Sequence, residues 1–213
     1  MRFKAGLLFI ILLFSGPLAA QWSGVALALE DADIRWQFDQ GKRNVNLSGI
    51  GFQFEEATAT GLRVGLKFKQ SSLRVAADQN SVAQKFDAQS LGLYLRESVE
   101  LGYNLSLHGQ FTFLLNNGNR VGNDVIETIE WTETQLEIGV GFKYSLVRIT
   151  PYLIYFDFDG DISGASGTSI FNLADPVVRG VKLDYFLEKT AYIRLAIQSG
   201  DRSGGYLSFV REY

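Results

Sequence analysis

One histidine, no cysteine and a near balance of acids and bases set the chemistry open to this chain of 213 residues. Hydrolysis by a side-chain nucleophile needs a base, a carboxylate that orients it and a hydroxyl or thiol within hydrogen-bond reach. His108 is the single imidazole, and its alternate neighbours Asn104, Ser106 and Gln110 are all uncharged. That setting suits a structural hydrogen-bonder, so no catalytic residue and no enzyme is expected. Asp157, Asp159 and Asp161 alternate as calcium-loop ligands do, but Ile162 and Thr168 occupy the places of the required glycine and glutamate. No metal and no cofactor is therefore expected, and Asp157 is assigned to ion pairing.

The ionisable residues recur at every second position, opposite apolar ones. Asp33, Arg35, Gln37 and Asp39 alternate with Ile34, Trp36 and Phe38, and Gln53 and Glu55 with Phe52 and Phe54. Arg63, Lys67 and Lys69 alternate with Leu62, Val64, Leu66 and Phe68, and further runs lie near 90–96, 101–113, 135–145, 152–159, 180–185, 192–198 and 205–213. A period of two is that of strands; an amphipathic helix cannot hold it. About ten strands result, with eight as the alternative if a short one does not span. The connections near 57–61, 97–99, 147–149 and 188–190 are short, while those near 77–86, 116–131 and 160–176 are long. Short turns at one end and long loops at the other are the habit of barrels that cross a membrane by strands.

Such a barrel would put the charged face in its lumen and the apolar face toward lipid. The luminal polar network then comprises Arg35, Glu55, Arg63, Lys67, Arg96, Glu100, His108, Glu137, Lys143, Asp157, Lys182, Asp184 and Arg194. The short turns set Arg96 against Glu100, Asp184 against Arg194, and Glu55 opposite or diagonal to Arg63. Desolvated ions are costly unless paired, so a narrow lumen of this kind is expected to be closed by ion pairs. Glycines on the polar face leave room beside long side chains, and Trp36, Phe38, Tyr103, Phe113, Tyr144, Tyr152, Tyr185 and Tyr213 on the apolar face fit interfacial girdles. A soluble lipid-binding barrel, with the apolar face inward, has the same alternation and stays as an alternative.

The ends of the chain place it. Arg2 and Lys4 precede the apolar run Ala5–Phe14 and the small residues Ser15-Gly16-Pro17-Leu18-Ala19-Ala20, the order of a secretory signal peptide over 1–20. The run is too short for a spanning helix. Without Arg2 and Lys4 the 20 bases become 18 against 23 acids. No basic cluster points to nucleic acid. Twenty-two glycines, three prolines and many aromatics suit an all-β chain with many turns, and a mean hydropathy of +0.04 is compatible with strands that give half their residues to lipid. The expected organisation is a signal peptide at 1–20, an N-terminal periplasmic segment at 21–32, and a barrel at 33–213.

At the other end, Gly205, Leu207, Phe209 and Tyr213 share one face while Tyr206, Ser208, Val210 and Glu212 share the other. A last strand with alternate apolar residues that stops on an aromatic resembles the bacterial outer-membrane β-barrel proteins. Arg211 departs from the pattern, as a base on the lipid face that can snorkel at the rim. The resemblance implies an all-β, transmembrane antiparallel up-and-down barrel in the cell outer membrane. It also implies as partners the barrel-assembly machinery, outer-membrane lipids and lipopolysaccharide. The expected function is non-enzymatic, structural or surface-interacting; a narrow passive channel is the alternative, and a membrane-embedded hydrolase at His108 a further one.

Overall fold

The computed structural model describes residues 24–39, 41–58, 61–77, 82–122, 127–164 and 167–213; the signal-peptide reading of 1–20 lies outside them. The chain alternates strand and turn: β1 (Gly24–Phe38), β2 (Gly41–Ala57), β3 (Arg63–Val75), β4 (Gln84–Gly102), β5 (Leu105–Arg120), β6 (Thr128–Tyr144), β7 (Val147–Gly164), β8 (Gly167–Leu173), β9 (Val177–Glu188), β10 (Ala191–Ser199) and β11 (Arg202–Glu212). Each strand pairs antiparallel with the next, save that β7 pairs with both β8 and β9, and β11 returns to pair with β1 from Gly24↔Glu212 to Ile34↔Arg202. That closure makes a barrel of ten strands and leaves no free edge, which a strand crossing hydrocarbon cannot afford.

β8 changes the barrel at one end. β7 pairs with β9 up to Tyr155 and with β8 from Asp159 onward. β1 likewise pairs with β11 up to Ile34, then with β8 from Trp36 to Phe38. The handover sits at Arg35, whose N–H donates to the Asp201 carbonyl at 2.7 Å while its own carbonyl accepts from Ala174 N–H at 3.3 Å. On this loop side β8 replaces β9, β10 and β11, so the ten-stranded tier continues as a narrower tier of β1 to β8. An eight-stranded barrel has an interior that side chains alone can fill.

They fill it with apolar groups. Ala32, Ile34, Trp36 and Phe38 of β1 meet Val45, Leu47, Leu73, Val75, Phe86, Ala88, Ile129, Trp131, Phe158, Ile162 and Phe171 in one buried cluster. The outward partners at that level are polar: Asp31, Asp33 and Arg35 on β1, Asn46 and Ser48 on β2, Asp157 and Asp159 on β7. In the ten-stranded tier the polarity is opposite, with Leu27, Leu29, Ile50, Phe52, Phe68, Leu91, Leu95, Leu183, Leu195, Leu207 and Phe209 exposed around the outside. That belt is the lipid-facing surface of a transmembrane barrel.

Several sequence expectations change. β1 begins at Gly24 and is paired on both sides from there, so residues 24–32 belong to the barrel and not to a periplasmic segment. Trp36, Phe38 and Tyr152 point inward and are buried, so they are not girdle residues; Tyr103, Tyr144, Tyr185 and Tyr213 do face outward. The stretch 160–176 is no plain loop but the end of β7 and the whole of β8. The turn expected at 97–99 lies instead at Tyr103 and Asn104, whose φ values of 50° and 64° form a tight hairpin. A bulge between Glu100 and Gly102 resets the register there. It keeps odd-numbered apolar residues outward on both strands, which hid the turn from a reading by alternation.

Candidate functional site

The lumen of the ten-stranded tier is lined by the even-numbered positions of β1, β4, β5, β7, β9, β10 and β11 and the odd-numbered ones of β2, β3 and β6. Its charges form three layers, beginning at the end where the chain termini lie.

The first layer ties the closing strand across the barrel. Glu55 on β2 accepts from Arg63 at 2.7 Å, from Arg96 Nε at 2.7 Å and from the Tyr94 hydroxyl at 2.9 Å. Glu212, on the last strand, accepts from the same two arginines at 3.1 and 2.9 Å. The ring of Tyr94 can reach Glu55 because Gly65 lies directly beneath it; a Cβ at Gly65 would collide with the ring and with the Phe54 carbonyl. Glu55 and Arg63 are diagonal, as the turn length implied, since the register sets Glu55 against Gly65 and Ala57 against Arg63. Arg96, however, lies opposite Gln110 and Glu100 opposite Ser106. The longer β4 moves Glu100 out to the mouth, where it is exposed.

The second layer centres on Asp184, which is 0% exposed. Arg194, directly opposite in the register, donates to it at 2.6 and 3.0 Å, and Arg148 on β7 at 2.9 and 2.7 Å. Beside them Lys182 donates to Glu137 and lies 4.8 Å over the Tyr152 ring. Lys143 lies at the mouth, 4.4 Å over Phe186. His108 shares a 2.8 Å hydrogen bond with Ser106 Oγ, but Ser106 is only 3% exposed, and the Gly141 backbone presses on both side chains so that a Cβ there would stand 2.6 Å from each. A cavity of about 290 Å³ opens between these groups and the terminal end, bordered by Arg63, Arg96, His108, Glu137, Arg148, Lys182 and Arg194.

The third layer lies directly under the apolar cluster. Glu30 accepts from Lys69 and from Arg202 Nη2, each at 2.6 Å, and Glu133 accepts from Arg202 Nη1 at 2.6 Å. Lys67 stands within electrostatic range of Glu30, Lys69, Glu133 and Arg202.

Eleven of the thirteen residues assigned to a luminal network therefore face the lumen or its mouth: Glu55, Arg63, Lys67, Arg96, Glu100, His108, Glu137, Lys143, Lys182, Asp184 and Arg194. Arg35 and Asp157 do not. Arg35 is on the outer wall, its side chain 53% exposed, in a 3.1 Å ion pair with Asp201 at the handover. Asp157 is exposed on the outer wall of β7 beside Thr134. Both lie above the apolar belt, where the outer wall is wet and the charged face turns outward. Sequence reasoning left Glu30, Glu133, Arg148 and Arg202 out of the network. Glu30 fell within the expected N-terminal segment, Arg148 within the turn expected near 147–149, and Glu133 and Arg202 outside the runs read as strands; Arg148 shares the parity of Tyr152, which was read as outward, so its luminal placement went unseen.

No family model matches the chain, and no curated protein sequence matches it. Solved structures do. The translocator domain of the autotransporter NalP from Neisseria meningitidis matches 98% of this chain and 95% of its own at TM-score 0.50 and 14% identity. The β domain of the Bordetella autotransporter BrkA matches 90% of this chain and 100% of its own at TM-score 0.51 and 14% identity. This chain has the closed antiparallel fold of bacterial outer-membrane β-barrels, and identities this low speak to the fold alone.

Proposed function

We propose that the chain is a non-enzymatic integral protein of the bacterial outer membrane, closed by its own side chains, with a structural or surface-interaction role. The observation that carries this reading is the two-tier interior: an apolar cluster fills the eight-stranded tier above three layers of ion pairs. With the termini in the periplasm, the filled tier stands outside the cell and closes the lumen to the medium. The polar outer wall of that tier is then the surface offered to partners, and the apolar belt is the surface offered to outer-membrane lipids and lipopolysaccharide. The outward Leu207, Phe209 and Tyr213 of β11 are what the barrel-assembly machinery would read.

The absence of an enzymatic role is supported by the state of the Ser106–His108 pair, whose hydroxyl is buried beneath Gly141. A passive channel would need a path through the aromatic cluster of Trp36, Trp131, Phe158 and Phe171, whose rings stand 4.1 to 6.3 Å apart by centroid. Planar-bilayer recording tests the proposal. The closed barrel should show no steady conductance while polar loop-side residues such as Lys42 and Lys85 react with an impermeant amine reagent on intact cells. Steady single-channel steps would replace this reading with the channel, and a loop side protected in intact cells would refute the orientation.

A further inference from the structure

Two guanidiniums share one hidden carboxylate at the wall of the terminal-end cavity. Asp184 Oδ2 accepts from Arg148 Nε at 2.9 Å and Nη2 at 2.7 Å and from Arg194 Nη2 at 3.0 Å, while Asp184 Oδ1 accepts from Arg194 Nε at 2.6 Å. The common oxygen holds both cations close together, and β7, β9 and β10 set them in one row, Arg148↔Asp184↔Arg194. Asp184 is fully buried and does not border the cavity, whereas both arginines do. Each uses its Nε–Nη2 edge on Asp184 and keeps Nη1 without an acceptor among the described residues. His108 borders the same space within electrostatic range of both arginines; one ring nitrogen meets Ser106, and the other has no partner among the described residues.

The other cations of the cavity are matched: Lys182 pairs with Glu137, and Arg63 and Arg96 pair with Glu55 and Glu212. Glu97 and Glu100 stand exposed at the rim, where water and salt screen them. One positive charge is therefore left over beside Asp184, on planar guanidiniums whose geometry suits a carboxylate. A surplus of one selects a monoanion over a phosphate dianion. The space, about 290 Å³, exceeds what an inorganic ion needs and stands near the lower end of small-molecule pockets, roughly 300–1,000 Å³. Phe186 and Tyr192 also border it, their rings 5.2 Å apart and the Arg148 guanidinium 5.3 and 5.7 Å from them, so aromatic surface adjoins the donors. The third ion-pair layer and the apolar cluster close the far end of the lumen, so a solute that enters is held and not passed on.

We propose that this cavity binds a small organic monocarboxylate, with Nη1 of Arg148 and Arg194 and the second ring nitrogen of His108 as donors and Phe186 as the wall for its apolar part. The proposed orientation of the barrel decides only that the ligand comes from the periplasm. Binding in micelles does not depend on it, so the two readings fail separately.

The test is titration of para-fluorobenzoate with the full chain, refolded in nonionic detergent micelles, read by fluorine NMR linewidth against micelles without protein. The broadening should saturate and be reversed by unlabelled benzoate, whereas benzamide, of the same shape but uncharged, should not compete. Arg148→Gln leaves Arg194 paired with Asp184 and removes the surplus charge, so it should weaken binding about tenfold or more, the worth of one hydrogen bond to a charged group. Should that variant not refold, His108→Leu removes a donor without removing an ion-pair partner and is read in the same way. Broadening that does not saturate, wild-type affinity in the refolded variant, competition by benzamide equal to that by benzoate, or displacement by inorganic phosphate at lower concentration than by benzoate would each overturn the proposal.

Discussion

Trp36→Ala separates the inward from the outward placement of the β1 aromatics. Trp36 is 0% exposed, stacked on Phe171 with centroids 4.1 Å apart and planes 9° from parallel, and tilted against Trp131 and Phe158 at 6.2 and 5.7 Å. Removal of a fully buried indole from a packed core costs about 3–5 kcal/mol, through lost transfer energy and the cavity left behind. The ring also bridges β1 to β8, so the loss should fall on the seam that closes the eight-stranded tier. Equilibrium urea unfolding from lipid bilayers, followed by the fluorescence of the two remaining tryptophans, Trp22 and Trp131, measures the cost. Brominated lipids supply an independent readout, since indoles inside the barrel are shielded from bromine whereas a girdle tryptophan is quenched. A loss below about 1 kcal/mol, with strong quenching of Trp36 by lipid-borne bromine, would place the side chain on the lipid face. The interior described for the loop-side tier would then be wrong.

Two further substitutions probe the belt and the ion pairs. Leu195 stands between Leu183 and Leu207 on the outer wall, and Leu195→Arg should cost roughly 2–4 kcal/mol in bilayer refolding if that level is near the membrane midplane; a neutral result would refute the lipid-facing assignment. Asp184→Ala strands two buried guanidiniums and should cost about 3–5 kcal/mol, whereas Arg148→Ala should cost clearly less, because Arg194 keeps both its bonds to Asp184. Equal costs in urea unfolding would mean that Asp184 is not the shared centre of that layer.

How much of this was legible follows from what alternation encodes. A period of two reveals strands, and the turn lengths reveal the order of ends, so closure, antiparallel topology and the Asp184–Arg194 register could all be read directly. Which face is inward could not, because alternation does not record which side is wet. On β1 the assignment was inverted for Ile34, Trp36 and Phe38, and on β7 for Tyr152, Ile154, Phe156 and Phe158, all of which are buried within the barrel. The charged positions that faced them, Arg35 and Asp157 among them, were carried into the lumen by the same inversion. Arg148 and Arg202 were lost for other reasons: Arg148 lies between Val147 and Ile149 in a stretch read as a short turn, and Arg202 lies where β11 extends beyond its lipid-facing residues and looks like loop in composition.

The sequence does hold a signal for the inversion, in the parity of the apolar residues along single strands. On β1 they occupy odd positions at Val25, Leu27 and Leu29, then even ones at Ala32, Ile34, Trp36 and Phe38. On β2 they run odd at Val45 and Leu47, then even at Ile50, Phe52 and Phe54; on β4, even at Phe86 and Ala88, then odd at Leu91, Leu93 and Leu95. The registers of β1 with β2 and of β3 with β4 carry no bulge there, so the swap is one of environment and not of backbone geometry. It marks the level at which the outer wall leaves hydrocarbon for water. The chain has no cysteine, so single cysteines at Leu27, Leu29, Asp31 and Asp33 can report that level without background. In liposomes, a water-soluble maleimide should leave positions 27 and 29 unmodified and label 31 and 33, while a cysteine at Ile34 stays protected inside the barrel. The step must fall between residues 29 and 31. Uniform labelling along the four outward positions, or a reactive Ile34→Cys, would show that the parity swap does not mark the membrane edge.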